Sequence, residues 1–197
     1  MSITPFPTSD IPAVTGNSGK VLTTDGYSPS WGSGSGMTLL GSVGASGNLV
    51  SITNIDQSYR DLRLVGVDIQ TSGSSSCLLR VNGITGTSYY PYSYFLSNAT
   101  SAISHTTSSD GGYFMFAYAG GKCTSITDIY NYASTSKNVK PWISLSDMDN
   151  TSSYRYHGWG AFNATSNTND GVINITSIGM YNSNTWTGGT FYLYGVK

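Results

Sequence analysis

The sequence predicts an all-β protein built from antiparallel strands, and three features of its composition support this fold class. Gly (24 residues) and Tyr (15 residues) are abundant, Ser, Thr and Asn form long runs, and none of the ten acidic residues is Glu. Charged residues make up only 10% of the chain, against about 25% in average globular domains. Helix formers are therefore scarce, whereas residues that favour strands and turns are plentiful.

The 197 residues fit one full-sized domain with a short appendage, because a domain usually has ~100 to 200 residues. Residues 1–36 are predicted to be the appendage, since they hold four of the six prolines and end in a Gly/Ser linker. A short strand over residues 21–23 and a turn at residues 25–26 predict a hairpin with Leu22 and Trp31 as apolar anchors. A hairpin this small cannot bury its anchors alone. It therefore needs a partner surface, and a second or third copy of the same hairpin is the simplest one.

From Met37 to Lys197 short apolar or alternating segments are separated by Gly, Ser, Asn and Asp turns, which is typical of a β-sandwich. The ten predicted strands lie near residues 38–43, 48–53, 61–69, 77–82, 113–118, 125–132, 142–146, 154–162, 172–180 and 190–196. A change in the phase of the apolar residues predicts a β-bulge near Gly66. The predicted core contains Leu40, Leu49, Ile52, Leu62, Leu64, Leu79, Val81, Phe114, Phe116, Ile126, Ile143, Leu145, Phe162, Ile173, Ile175, Phe191 and Leu193.

Charge and hydropathy argue against two classes of partner. The net charge is −1 and the cations form no basic stripe, so nucleic acid is not expected to bind. No apolar run reaches the ~20 residues that cross a bilayer, and the N-terminus lacks the features of a signal peptide. We therefore expect a protein made in a cytoplasm, without membrane insertion. Cys77 and Cys123 lie in apolar segments and are expected to be reduced and buried, with a single disulfide as the alternative.

Catalytic and metal-binding patterns are weak. His105 and His157 are the only imidazoles, and no nucleophile elbow surrounds a serine. Asp147 and Asp149 could hold Ca²⁺ with Asn150 or act as a glycosidase pair, but a solvated turn between strands is the better interpretation. The histidines lack zinc spacing. The sequence therefore predicts no enzyme, no metal and no cofactor.

Aromatic residues provide the candidate recognition surface. Tyr90, Tyr92 and Tyr94 cluster around Pro91 in a predicted loop, and Trp186 lies in a turn-rich segment that predicts a loop tip. Such side chains combine a broad apolar surface with a polar group, so they suit glycan contact. The alternative is that these aromatics close the end of the sandwich or pack between subunits.

The segment around His157 offers a second candidate. On an extended strand Arg155, His157 and Trp159 share one face, which could bind a glycan or line a trimer interface. A histidine with its hydrogen bonds satisfied beneath a loop is the commoner outcome. Asp128, among apolar neighbours, is expected to point outward, with a subunit contact as the alternative.

Four segments of the chain resemble appendage proteins of tailed bacteriophages. Residues 16–31 are similar to a short repeat frequent in tail-fibre proteins, and residues 55–64, 79–83 with 88–90, and 192–196 resemble a phage appendage β-domain. The resemblance covers both ends and the middle of the chain.

The resemblance implies a virion structural protein, usually a homotrimer, with a jelly-roll-like β-sandwich held on an attachment segment. The implied function is host attachment by a short tail fibre or receptor-binding protein. Residues 1–36 would be the attachment and trimerisation segment that contacts other virion proteins, and a host cell-surface glycan would be the receptor. A capsid decoration protein is the alternative, and a glycan depolymerase is a weaker one.

Overall fold

The chain divides into two compact units, Met1–Gly36 and Met37–Lys197. The computed structural model describes residues 15, 20–24, 29–33, 36–85, 89–96, 101–105, 111–136, 139–149, 155–163 and 174–197. Within these residues the regular structure is entirely β. The strands are β1 (Lys20–Thr24), β2 (Pro29–Ser33), β3 (Met37–Gly44), β4 (Gly47–Ile52), β5 (Asp61–Thr71), β6 (Ser75–Val81), β7 (Tyr89–Leu96), β8 (Ser101–His105), β9 (Gly112–Ala117), β10 (Lys122–Ile129), β11 (Val139–Asp149), β12 (Arg155–Asn163) and β13 (Ile178–Val196).

The first unit contains the predicted hairpin. Strands β1 and β2 pair antiparallel, and Leu22 lies opposite Trp31 in the register. Trp31 is half-buried. Residues 25–28, which hold the predicted turn, lie outside the described residues, as does the side chain of Leu22. The role of Leu22 and Trp31 in trimerisation therefore stays a prediction.

The second unit is one antiparallel sheet of eleven strands, nearly closed into a barrel-like shape, and β13 runs through its middle. The first half of β13 pairs with β4 and β6, and its second half pairs with β3 and β5. Strand β13 thereby divides the strands into two groups. We call one part of this continuous sheet the smaller sheet, which contains β4, the start of β13, β6 and β9. We call the other part the larger sheet, which contains β3, the end of β13, β5, β10, β11, β12, β7 and β8.

Strand β13 exchanges partners at Trp186, which pairs with both β4 and β5, and its register against β5 shifts between Trp186 and Thr190. We call this segment the bend. Gly189 has a φ of +96°, and a Cβ there would lie 2.5 Å from the backbone oxygen of Asp68, so only glycine fits. The fully buried Asn182 supports the bend, because its Oδ1 accepts hydrogen bonds from Ser75 Oγ (2.6 Å) and from Asn184 N (2.7 Å). The bend lets one strand serve both sheets.

Strand β9 packs across the interior onto β11 and β12. Ser144 Oγ donates a hydrogen bond to the backbone oxygen of Phe114. A Cβ at Gly158 would lie 2.9 Å from the backbone oxygen of Tyr113. The close approach of β9 brings the two sheets together around the apolar core.

The predicted all-β antiparallel fold is confirmed, including an irregularity near Gly66, where the β5–β10 register shifts. Two expectations about strands are wrong. The strand predicted over residues 172–180 begins only at Ile178 and continues to Val196. Strands β7 and β8 occupy segments for which the sequence predicts loops.

Candidate functional site: the outer face of the larger sheet

Part of the predicted core is on the surface of the protein. Ile126 is 40% exposed, and Ile143, Leu145 and Leu49 are each 49% exposed. Ile126, Ile143 and Leu145 belong to the larger sheet, on β10 and β11, whereas Leu49 belongs to β4 of the smaller sheet. For these four residues the expected inward orientation is wrong.

The exposed residues of β10 and β11 lie in register with the candidate residues of β12. Ile126 lies opposite Leu145, which lies opposite His157. In the next row Asp128 lies opposite Ile143, which lies opposite Trp159. Directly opposed residues of antiparallel strands project from the same face. The outer face, as we name it, consists of Arg63, Val65, Ile126, Asp128, Ile143, Leu145, His157 and Trp159.

The opposite side of β10 and β11 carries small hydroxyl residues where a core normally holds apolar ones. Ser125, Thr127, Ser144 and Ser146 are all buried. Two of them form a hydrogen bond with each other, since Thr127 Oγ1 and Ser144 Oγ are 2.7 Å apart. Small side chains suit this position because β9 approaches closely here. The polarity of this part of the sheet is thus inverted, with hydroxyls inside and large aliphatic side chains outside.

An ion pair borders the apolar rows. Arg63 Nε lies 2.6 Å from Asp128 Oδ1, and its second nitrogen, Nη2, lies 2.8 Å from Asp128 Oδ2. This hydrogen bonding raises the pKa of Arg63, so the guanidinium stays charged. A second apolar patch lies on the other side of this ion pair from Ile143 and Trp159. It contains Met37 and Leu39 on β3, which are 50% and 52% exposed. The two charges therefore neutralise each other between two apolar patches.

A shallow, open depression in the outer face is lined by Thr124, Ile126, Leu145, Ser146, Asp147 and His157. Its lining is mainly apolar, with the Asp147 carboxylate as its acidic group. Asp147 is exposed and His157 is half-buried. A depression so open does not exclude the water that a catalytic site usually removes. Its geometry fits the contact surface of a binding partner better than a reaction centre.

Asp147 and Asp149 were expected on a turn, and that placement is wrong. Both belong to β11, where Asp147 lies opposite Thr124 and Asp149 opposite Lys122. Asn150, the third predicted calcium ligand, lies outside the described residues. Within the described part of the chain no three His, Cys, Asp or Glu side chains are grouped as metal ligands would be.

The predicted loop tip at Trp186 is wrong. Trp186 lies within β13 and is only 1% exposed. Its ring packs edge-on against Phe191 at 5.4 Å between centroids, and its Nε1–H donates to the backbone oxygen of Met180 at 3.2 Å. A residue so buried cannot contact a receptor in this structure.

The predicted tyrosine loop is also wrong, because Tyr90, Tyr92 and Tyr94 belong to β7. Tyr94 lies opposite His157 and Tyr92 opposite Trp159 in the β7–β12 register. The side chains of these tyrosines and of Arg155 lie outside the described residues, as does that of His105, which ends β8. Glycan contact by the tyrosines stays a prediction.

Both cysteines are free and buried, as predicted. Burial raises the pKa of Cys123 to about 12 and raises the pKa of Cys77 as well, even though the Asn182 side chain donates to the Cys77 sulfur at 3.0 Å. The thiolate form, which is the nucleophile, is therefore scarce at neutral pH. Neither thiol is suited to covalent catalysis.

The described residues include no helix of the length and apolarity needed to span a bilayer. No protein-family model matches the chain, and comparison with curated proteins and with solved structures gave no match. The outer face is therefore the structural feature of the described residues from which a function can be inferred.

Proposed function

We propose that this protein is a non-enzymatic structural component of a bacteriophage virion, a homotrimer that attaches the particle to the host surface. The outer face of the larger sheet is the observation that carries the proposal. It presents several large apolar side chains to solvent, and such a patch on a soluble domain marks an interaction surface. Catalysis instead needs an enclosed site with an activated nucleophile or base.

The residues of the resemblance support the same proposal. The segment similar to the tail-fibre repeat contains the β1–β2 hairpin, with Leu22 opposite Trp31. In the proposed assembly this hairpin joins three copies and holds them to other virion proteins. Three weak receptor sites on one trimer can exceed the affinity of one site by ~10²-fold or more. Attachment by avidity needs no reaction at the host surface.

Removing the protein from the virion tests the proposal. We expect particles without it to adsorb to host cells at least about tenfold more slowly, because multivalent contact is lost. We also expect an antibody against the protein to label the tail of wild-type particles. Labelling over the whole capsid with unchanged adsorption would establish the decoration alternative instead. Release of reducing sugar from host envelope by the purified protein would establish a depolymerase.

The same adsorption assay tests whether the tyrosines of β7 contact a host glycan. Particles carrying Tyr90→Ala, Tyr92→Ala or Tyr94→Ala are compared with particles carrying Tyr181→Ala, a change in the smaller sheet, where Arg80 stacks on the Tyr181 ring at 3.8 Å. A receptor contact loses on the order of 1 to 3 kcal/mol per site on truncation, so adsorption should fall for the β7 variants alone. Equal adsorption of all four stable variants would place the receptor contact elsewhere.

A further inference from the structure

We propose that Asn82–Gly83 is a site of spontaneous deamidation, and that the folded chain protects it by holding the Asn82 side chain away from the reaction. Asn82 follows β6 and bonds to the segment of residues 174–177, which leads into β13. We name these side-chain hydrogen bonds the Asn82 clamp. The clamp protects Asn82 while it is closed, and modification during an opening prevents it from closing again.

The sequence places the most reactive pair of residues at this position. Asparagine is a thermolabile residue, and its side chain is most easily attacked by the next backbone nitrogen when glycine follows. Glycine has no Cβ, so it hinders the approach least. Among the asparagines of the whole chain, only Asn82 precedes a glycine. Deamidation is therefore expected first at Asn82.

The reaction needs no reagent other than water. The backbone nitrogen of Gly83 attacks Cγ of Asn82, and the bond between Cγ and Nδ2 breaks. Nδ2 leaves as ammonia with the proton of the Gly83 nitrogen, and a succinimide ring remains. Water then opens the ring at one of its two carbonyls, which gives aspartate or isoaspartate. Gly83 is exposed, and a Cβ there would have no atom within 4 Å, so ring and water both have room.

The backbone around Asn82 is fixed by a tight turn. Asn82 and Gly83 have φ values of +51° and +68°. Ile84 N donates to the backbone oxygen of Val81 at 2.9 Å. Positive φ at both central residues is the mark of a type I′ turn, for which Asn-Gly is a preferred pair. The peptide group between Asn82 and Gly83 is therefore held in place on both sides.

The Asn82 side chain is held in a direction that the reaction cannot use. Its Oδ1 accepts hydrogen bonds from Thr176 N at 2.8 Å and Ser177 N at 3.1 Å. Its Nδ2 donates to the backbone oxygen of Asn174 at 2.7 Å. Because both ends of the amide are engaged, Cγ cannot turn to the Gly83 nitrogen until the clamp opens. The rate of deamidation therefore follows the population of the locally opened chain.

Each product weakens the contact from which it came. In aspartate an oxygen replaces Nδ2, so two acceptors face each other at the backbone oxygen of Asn174, which loses its donor. Isoaspartate adds one carbon to the main chain. This displaces the hydrogen bond from Asn82 N to the backbone oxygen of Ser177, now 2.9 Å long. An opened and modified chain therefore cannot restore the attachment of β6 to the segment before β13.

Mass spectrometry of the full chain, aged in mildly alkaline buffer, tests the inference. One sample stays folded and a second is unfolded in urea. Trypsin cleaves after Arg80, and tandem spectra of the peptide that begins at Val81 measure the conversion of Asn82. Asn54 is the reference in each sample, because its φ of +56° is also left-handed but Ile55 follows it.

Two glutamine variants test the clamp without altering Asn82. Gln57 Nε2 donates to the backbone oxygen of Ile175 at 3.0 Å, so Gln57→Ala loosens the segment of residues 174–177. Gln70→Ala is the matched control, because Gln70 lies opposite Gly188 in the bend of β13. A further variant, Asn82→Asp, reproduces one of the two products, and its thermal midpoint reports the effect on the fold.

We expect Asn82 to react at least about tenfold faster in urea than in the folded chain, because the folded chain rarely populates the opened state. In urea Asn54 should react more slowly than Asn82. Gln57→Ala should raise the rate at Asn82 in the folded chain, whereas Gln70→Ala should not. Asn82→Asp should lower the thermal midpoint by about 2 °C or more.

Three results would overturn the inference. An unreacted Asn82 in urea would show that the position is not a deamidation site. Equal rates in folded and unfolded wild type would show that the fold gives no protection, and this comparison holds even if Gln57→Ala does not fold. An unchanged rate in folded Gln57→Ala would contradict protection by the segment of residues 174–177.

Discussion

Replacing Trp186 by alanine is expected to lower the free energy of unfolding by about 3 to 5 kcal/mol, the usual cost of removing a large aromatic side chain from a core. Trp186 is 1% exposed at the bend of β13, against Phe191. Its removal leaves a cavity where the two sheets meet. Urea unfolding followed by circular dichroism measures the loss.

Trp186→Phe is the matched control for this prediction. It keeps an aromatic ring beside Phe191 but removes the hydrogen bond from Trp186 Nε1 to the Met180 backbone oxygen. We expect a smaller loss of about 1 to 2 kcal/mol, from one hydrogen bond and part of the ring volume. A Trp186→Ala protein with unchanged stability and reduced host adsorption would restore the loop-tip prediction and contradict the buried position.

The second large effect is expected for Asn82→Ala, about 2 to 3 kcal/mol of unfolding free energy. Asn82 follows β6, and its Oδ1 accepts hydrogen bonds from Thr176 N (2.8 Å) and Ser177 N (3.1 Å). Its Nδ2 donates to the backbone oxygen of Asn174 at 2.7 Å. Alanine leaves these backbone groups without their partner, so the segment that leads into β13 loses its attachment to β6.

Asn54→Ala is the control that separates the cost of losing the Asn82 hydrogen bonds from the cost of placing alanine in a left-handed backbone conformation. Asn54 has a φ of +56° and Asn82 a φ of +51°, so both alanine variants bear the cost of the left-handed conformation, about 1 kcal/mol. Asn54 is exposed and should lose only this amount in urea unfolding. Equal losses for the two variants would show that the hydrogen bonds of Asn82 contribute nothing measurable.

Composition and the regular recurrence of short apolar segments between turns were sufficient to predict the fold class. Both are local features of the sequence, because strand and turn preferences depend on residues that are close together in the chain. The path of β13 was not predictable in this way. Its segment around Trp186 is rich in Ser, Asn, Thr and Gly and therefore predicts a loop. The structure continues the strand through this segment, since pairing with both sheets supplies hydrogen bonds that a local pattern does not reveal.

The outer face was missed for a different reason. Alternation shows that Ile143 and Leu145 share one side of β11 and that Ser144 and Ser146 share the other, but it does not say which side is inside. The usual rule places aliphatic residues inside. Here the approach of β9 favours hydroxyls there, and that contact joins residues about 30 positions apart, such as Phe114 and Ser144. One signal was available, namely the predicted shared face of His157 and Trp159 on β12.

Hydroxyl-radical footprinting of the protein in the assembled virion tests most directly whether the outer face is an interaction surface. Leu145 and Leu49 are the same residue type and are equally exposed, at 49%, in the single chain. One sample therefore contains both the test and its reference. If a partner covers the outer face, labelling of Leu145 should be about threefold or more below that of Leu49, because the centre of an interface excludes water. Equal labelling of the two leucines in the virion would contradict the account.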